Sequence, residues 1–546
     1  MRVTRARQLL TGVVALIAAT LTLISCSGRP NLTTDEKLED FEYLFGILEQ
    51  NHPFLALKTR AEGFDWVSRR AEFERVVAAS KDDASLAQAI ARMLREINNG
   101  HTTITSAAMV KLMAELNEEP WKEVARNASP ARIDYWARLA GAPAPVPEGK
   151  YPPFLAVYNG GEYVVVAVAP DETIRQMVRP GMRVVAVEGV PVHEYVAARR
   201  GQSPYLLRYD PVRKRLYQRQ LELPRTGESL RVALEEPSTG VFEARVPFAS
   251  ENWDHSYSWP PRYADTQGAP TANVYTAVLA GGSVGYVQIT SFMNMEPALR
   301  RFFQEARDLP VLIIDIRGNR GGLSTYWEKA IVAQLAAEPV SCTYCVTWRT
   351  GEYVQPFVEA KISRMLVERI SKQALVEKAG PGLAANIPPE ALGDDFVDPC
   401  LIRARVLPAA DSVRYRGKIY LLVDDLCFSA ADGFASFCKA TGFATVVGTW
   451  TGGDGIGFTP APVLLPNSGI AVQFPVVMGL NPDFSANEET HTCPDVMVEQ
   501  SVEDILEYLA AGDAVLLSGP DPRFDAALRA CLALSHVSST GAQTSR

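Results

Sequence analysis

The chain has 546 residues, of which 47% are hydrophobic and 21% charged, with a formal net charge of −9. That length supplies core for about three domains. The acidic balance argues against nucleic acid as a partner.

The first elements are an address rather than a fold. Arg2, Arg5 and Arg7 precede an apolar run from Leu9 to Ile24, which reads as an export signal over residues 1–25 rather than a membrane span. Leu23-Ile24-Ser25-Cys26 resembles a bacterial lipobox, in which Cys26 is lipidated and becomes the new N-terminus. Such a lipid tethers a protein to a membrane surface without spanning it. The plainer alternative is a secretory signal with an incidental cysteine. No later stretch is apolar and long enough to cross a bilayer.

Residues 26–140 read as a helical N-terminal domain. Thr33 and Glu36 form a capping-box pattern before a stripe of Leu38, Phe41, Leu44, Phe45 and Leu48, predicting a helix over 31–50. Helices are also predicted over 64–81 and 83–99, the latter with Leu86, Ile90, Met93, Leu94 and Ile97 on one face. Gly100 suits the left-handed turn that ends a helix. His101 follows, where its ring can be aimed, although the helix dipole alone favours histidine there.

Residues 141–155, which contain GAPAPVPEGKYPP, form a linker. Residues 156–250 are β-rich, with runs at 163–168, 178–192, 230–234 and 241–246. Residues 251–515 change character again. PVLIIDIRGNRGG (Pro310–Gly322) is a nearly continuous apolar strand ending in a glycine turn, and a helix is expected over 324–337. KIYLLVDDLCFSAADGFASFCKATG (Lys418–Gly442) is a strand, a sharp turn and a helix opening at Ser429, followed by a strand at 444–447. This alternation predicts an α/β layer. Residues 516–546 complete the chain with a helix over 524–537 and a polar tail.

Ser429 has two readings. It is either an N-cap, the common use of serine at a helix start, or a nucleophile whose neighbour Ala430 offers an unpaired N–H to an oxyanion. The glycine loop at 452–457 lacks the Lys-Ser/Thr of a phosphate loop and does not open a helix, so a substrate-lining role for Gly452 and Gly453 is expected. Besides Cys26 there are seven cysteines, whose pairing sequence alone does not give. Cys342 and Cys345 would suit a disulfide or a metal, but no second Cys/His pair accompanies them, so no metal or cofactor is expected.

Four motifs in order, INNGHTT (Ile97–Thr103), DIRGNRGG (Asp315–Gly322), FSAADGFA (Phe428–Ala435) and VVGTWTGG (Val446–Gly453), resemble the carboxyl-terminal processing, or tail-specific, serine proteases. The similarity is greatest to the branch of tricorn protease and interphotoreceptor retinoid-binding protein. It implies a multidomain α/β protein: a helical N-terminal domain, a PDZ-like domain over 156–250 and a ClpP/crotonase-like catalytic domain. The bacterial Ser–Lys branch carries a lysine after the glycine turn, where this chain has Gly452, Gly453, Asp454 and Gly455. Asp454 cannot act as an amine base, so the resemblance points to a Ser–His–Glu triad of Ser429 and His101 with Glu488 or Glu489, which precede Pro494-Asp495. Ala430 and the Gly321–Gly322 turn would form the oxyanion hole. His491 is the competing base. A polypeptide would be the substrate. The retinoid-binding relatives leave a second reading, a non-catalytic binding lipoprotein on the same scaffold.

Overall fold

In the computed structural model, the described residues are 32–142, 150–254, 257–263, 273–293, 297–512 and 519–535. The expected signal, Cys26, residues 143–149 of the linker and the polar tail lie outside them.

The capping box forms as read: Thr33 accepts from the Glu36 N–H at 3.2 Å, and Glu36 bonds back to Thr33 N at 2.7 Å, opening the helix Thr34–Asn51. Asp82 and Ser85 do the same for Asp83–Ile97. The apolar faces of these helices do not close a core by themselves. Leu44, Leu86, Ile90 and Leu94 share one cluster with Val463, Val472 and Phe474 of the downstream chain. Strand Thr103–Ile104 pairs antiparallel with Ala471–Phe474, stitching the residues after His101 into a sheet over three hundred positions away. Helix Asp83–Ile97 ends earlier than expected. Asn98, at φ +59°, takes the left-handed position, an Asn tolerating it through its short polar side chain. Gly100 serves a different need: a Cβ there would stand 2.5 Å from the Phe428 ring.

The β-rich region is an antiparallel sheet of Phe154–Asn159, Glu162–Val168, Arg183–Val187, Ser229–Glu236 and Gly240–Pro247, in that order, with short strand Val190–Pro191 beside Arg183–Val187. Gly160 and Gly161, at φ +59° and +95°, make the two-residue turn of its first hairpin. Helix Val502–Ala511 packs on this sheet through Ile505 against Leu155, Val157 and Val166, not on the catalytic layer.

The second large sheet runs Val274–Leu279, Val284–Ile289, Val311–Asp315, Lys418–Val423, Thr445–Gly448, Val496–Met497; the first pair is antiparallel and the rest parallel. Its central strands are buried on both faces, as their unbroken apolar runs require. Leu312, Ile314, Leu421 and Val423 face the helices, while Val311, Ile313, Tyr420 and Leu422 face the C-terminal helix Ala526–Leu534. That helix is pinned by charge as well. Buried Arg317 spans Asp315 and Asp525, each at 2.6 Å, and Tyr286 donates to Asp315 at 2.6 Å.

Helix Ala430–Thr441 lies between this sheet and a four-stranded one of Val367–Arg369, Cys400–Val406, Val340–Thr347 and Met478–Leu480. Residues 430–438 are buried throughout, so the element that begins at Ser429 is held rigidly. The helix expected at 324–337 is interrupted: Trp327–Val332 is a π-turn between short α segments. Cys342, Cys345, Cys400, Cys427, Cys438, Cys493 and Cys531 are free thiols.

Candidate active site

Strand Lys418–Val423 ends in a turn that the neighbouring 316–321 loop fastens. Asp424 accepts from Gly318 N at 2.8 Å, Cys427 Sγ donates to Ile316 O at 3.0 Å, and Phe428 N donates to Asn319 O at 3.2 Å. The turn delivers Ser429 at φ +57°, ψ −128°, a backbone conformation that non-glycine residues rarely adopt. Its side chain makes no capping bond, so the N-cap role is set aside. The hydroxyl instead lies 2.9 Å from His101 Nε2.

His101 is aimed by the residues around it. Asn99 Oδ1 accepts from the His101 N–H and from the Thr102 hydroxyl, both at 3.0 Å. Behind Thr102 stands buried His52, whose Nδ1 accepts from Phe54 N at 3.2 Å, leaving Nε2–H to donate to Thr102 Oγ1 at 2.8 Å. The Phe428 ring backs the imidazole with centroids 4.7 Å apart, in the space that glycine at position 100 leaves free.

The carboxylate that meets the imidazole is Asp454. Its Oδ2 lies 2.7 Å from His101 Nδ1 and also accepts from Asn99 Nδ2 at 2.8 Å. A carboxylate accepts, so the ring proton sits on Nδ1 and the Nε2 lone pair faces the Ser429 hydroxyl. Neither glutamate expected to complete the triad is in this position. Glu488 is buried against Lys58 Nζ at 2.8 Å, and Glu489 pairs with Arg60 at 2.6 Å. Burial pushes Glu488 up to about 7, Lys58 opposing and the nearby Asp454 charge adding to the rise. Lys58 also pairs with Glu62 at 2.8 Å, and Glu62 meets Arg200, so a buried ion-pair chain runs behind the site. His491 is not beside Ser429. Its ring packs on Gly453, where a Cβ would come within 2.8 Å of Cδ2, and burial drags its pKa down to about 4.

The glycine turn approaches closely, as expected, but its two N–H groups differ. Gly321, at φ +94°, has no room for a side chain: a Cβ would lie 2.6 Å from Phe428 O and 2.9 Å from Ala430 N. Its N–H is already donated to Asn319 Oδ1 at 2.8 Å, which removes it as an oxyanion donor. The N–H groups of Gly322 and Ala430 have no acceptor among the described residues. Gly452, Ser429, His101 and Asp454 line a cavity of about 850 Å³ with an apolar wall that includes Met109, Leu112, Met113 and Val476. Gly453 lies behind this lining, its α-hydrogen side filled by His491.

Asn99 lies inside the INNGHTT run yet was not singled out by sequence, because its value is in what it bridges. In sequence Asp454 stands only where the Ser–Lys branch has its lysine, and nothing local marks it as the partner of His101.

A parallel α/β sheet whose strand-to-helix turn presents a strained serine to a histidine defines a serine-hydrolase type of site. Residues 283–498 match the model of peptidase family S41, and the protein is a serine-type peptidase acting on polypeptide. No curated protein matches the chain. Among solved structures, mature CPAF is 16% identical, with 89% of this chain and 97% of that one covered and a TM-score of 0.49. The photosystem II D1 C-terminal processing protease is 16% identical over 90% and 99% of the two chains, at 0.34. Tricorn protease is 16% identical over 88% of this chain and 37% of its own, at 0.35.

Proposed function

We propose that this chain is an exported, lipid-tethered peptidase that cleaves peptide bonds through Ser429, His101 and Asp454. The reading rests on one line of contacts: 2.9 Å from Ser429 Oγ to His101 Nε2 and 2.7 Å from Nδ1 to Asp454. Neutral His101 takes the hydroxyl proton as Ser429 Oγ attacks the carbonyl carbon, and then gives it to the leaving amine. Asp454 keeps the proton on Nδ1 and offsets the transient imidazolium. The oxyanion is met by Ala430 N–H and Gly322 N–H, each such donor being worth about 100- to 1000-fold in turnover. Water then hydrolyses the acyl-enzyme by the same proton path in reverse.

The β-rich sheet serves, in this reading, as a PDZ-like module that adds an extended peptide to a free edge. Strand Gly240–Pro247 is the available edge, because Phe154–Asn159 is covered by residues 219–221. Export and tethering rest on the charge pattern of residues 1–25 and on Cys26.

A fluorophosphonate probe applied to the purified protein tests the chemistry. Labelling is expected in the wild type and lost in Ser429→Ala and His101→Ala; labelling that persists in Ser429→Ala rejects the nucleophile. Cys26→Ala should move the protein from the membrane to the soluble fraction, and retention on the membrane rejects the tether.

A further inference from the structure

We propose that Arg208, Arg262 and Arg320 form a carboxylate-binding subsite in the active-site cavity, holding a negatively charged group of the polypeptide beside the scissile bond. The inference rests on the peptidase reading above and names the chemistry of its substrate.

All three arginines line the cavity that contains Ser429 and His101. Two are fixed close to the nucleophile by the chain itself. Arg320 immediately precedes Gly321, the residue whose missing side chain would touch Ser429 Cβ at 2.9 Å. Arg208 Nη1 lies 3.2 Å from where a side chain on Gly452 would begin, and Gly452 N–H donates to Cys427 O at 2.7 Å, two residues before Ser429.

None of the three has a carboxylate within ion-pair distance among the described residues. Arginines elsewhere in the molecule show the contrast. Arg317 holds two aspartates, Arg200 meets Glu62, and neighbouring Arg219 faces Asp424 at 3.5 Å and Asp425 at 3.4 Å. Of the acids that line the cavity, Asp454 is engaged with His101 and Asn99 and Glu488 with Lys58; Glu328, the third, has its pKa raised by burial and is not within ion-pair distance of these arginines. Burial, and then the positive charges of Arg208, Arg262 and Arg219, hold Arg320 below the ordinary guanidinium value, so these groups feel one another. Arg208 is half-buried, and Arg262 and Arg320 are exposed along the cavity; like charges gathered there repel one another until an anion enters. A guanidinium fork matches a carboxylate with two parallel hydrogen bonds, which suits either a peptide C-terminus or an acidic side chain.

The test uses Ser429→Ala protein, so that binding is read without turnover. Three fluorescein-labelled pentapeptides are compared by anisotropy: Ala-Ala-Ala-Leu-Ala as the free acid, the same peptide as its C-terminal amide, and the amide with glutamate in place of the third alanine. One acidic probe should bind about ten- to a hundredfold more tightly than the neutral amide. That ratio should collapse in Arg320→Gln and Arg208→Gln and be partly kept in Arg320→Lys. Preference for the free acid identifies a C-terminal carboxylate; preference for the glutamate amide identifies an acidic side chain. The subsite is rejected if the three probes bind alike, or if the preference survives the Arg208→Gln/Arg320→Gln double variant. It is also rejected, with the peptidase reading intact, if no probe binds although fluorophosphonate labels the wild type. Absence of both binding and labelling removes the two readings together.

Discussion

The side-chain amide of Asn99 donates to Asp454 Oδ2 at 2.8 Å, the same oxygen that faces His101 Nδ1 at 2.7 Å. With its other end Asn99 accepts from the backbone N–H of His101. One side chain therefore sets both the backbone that carries the imidazole and the carboxylate that orients it.

Removing that bridge should loosen the geometry without deleting a reacting group. Asn99→Ala is expected to slow acylation by about 10- to 100-fold, because misplacement of about 1 Å costs on that scale. The rate of fluorophosphonate labelling checks it, with peptide KM remaining near the wild-type value. An unchanged labelling rate would reduce Asn99 to a structural residue.

The acid behind His101 can be told from its neighbours by neutral substitution. Asp454→Asn favours the wrong tautomer and should lower turnover by roughly 10⁴-fold. Glu489→Gln, whose partner is partly exposed Arg60, should cost less than about tenfold in activity, surface pairs being weak. Glu488→Gln leaves Lys58 still paired with Glu62, so its main expected effect is on stability rather than on turnover. A larger loss in Glu488→Gln than in Asp454→Asn would reverse the assignment.

Two glycines make a steric prediction. A methyl at position 321 would meet Phe428 O at 2.6 Å in a backbone conformation that L-residues avoid, so Gly321→Ala should displace the oxyanion donors and lower kcat by about 100-fold or more. Gly100→Ala presses on the Phe428 ring at 2.5 Å and should act through His101 instead. Its signature is a shifted pH–rate profile, and an unaltered profile would separate the ring from the histidine.

Acid should remove the stability that two buried histidines provide. Burial holds His52 at about 3 and His491 at about 4, against an ordinary 6.5. The unfolded chain thus binds more protons below that value, and the stability that both provide above it is lost as pH falls from about 6.5 toward 4. Glu488, raised from 4.5 to about 7, has the opposite sign: the native state holds its proton, and stability from this group weakens as pH rises through that window. Burial raises Asp40, Glu96, Asp424 and Asp432 in the same sense as Glu488, so the histidine contribution is read as a difference between variants, from urea midpoints at about pH 5.5 and about pH 7. Between those two pH values His491→Gln should lose less stability on acidification than the wild type; the same pH dependence in both proteins would show that His491 is not held neutral.

Much of the local structure was legible because it depends on neighbours in sequence. The Thr33–Glu36 box, the apolar stripes, the buried parallel strands and the serine at a strand-to-helix turn are patterns of period and capping, and each stands where it was read. The break at Trp327–Val332 was not legible, since propensity is blind to an extra residue accommodated by packing. Nor was the shared core of the N-terminal helices, whose apolar faces look the same whether they cover each other or a distant sheet.

By itself, then, the order of amino acids determined the elements, the serine and the histidine that stands beyond a helix end. Which carboxylate reaches that histidine was decided only by tertiary structure. Asp454, Glu488 and Glu489 all lie more than three hundred residues from His101, and their partners follow from where the glycine loop and the short helix Asn487–Thr490 settle against Lys58 and Asn99. Spacing along a chain carries no information about such distances; the pairing of charges in a closed, poorly solvated interior does.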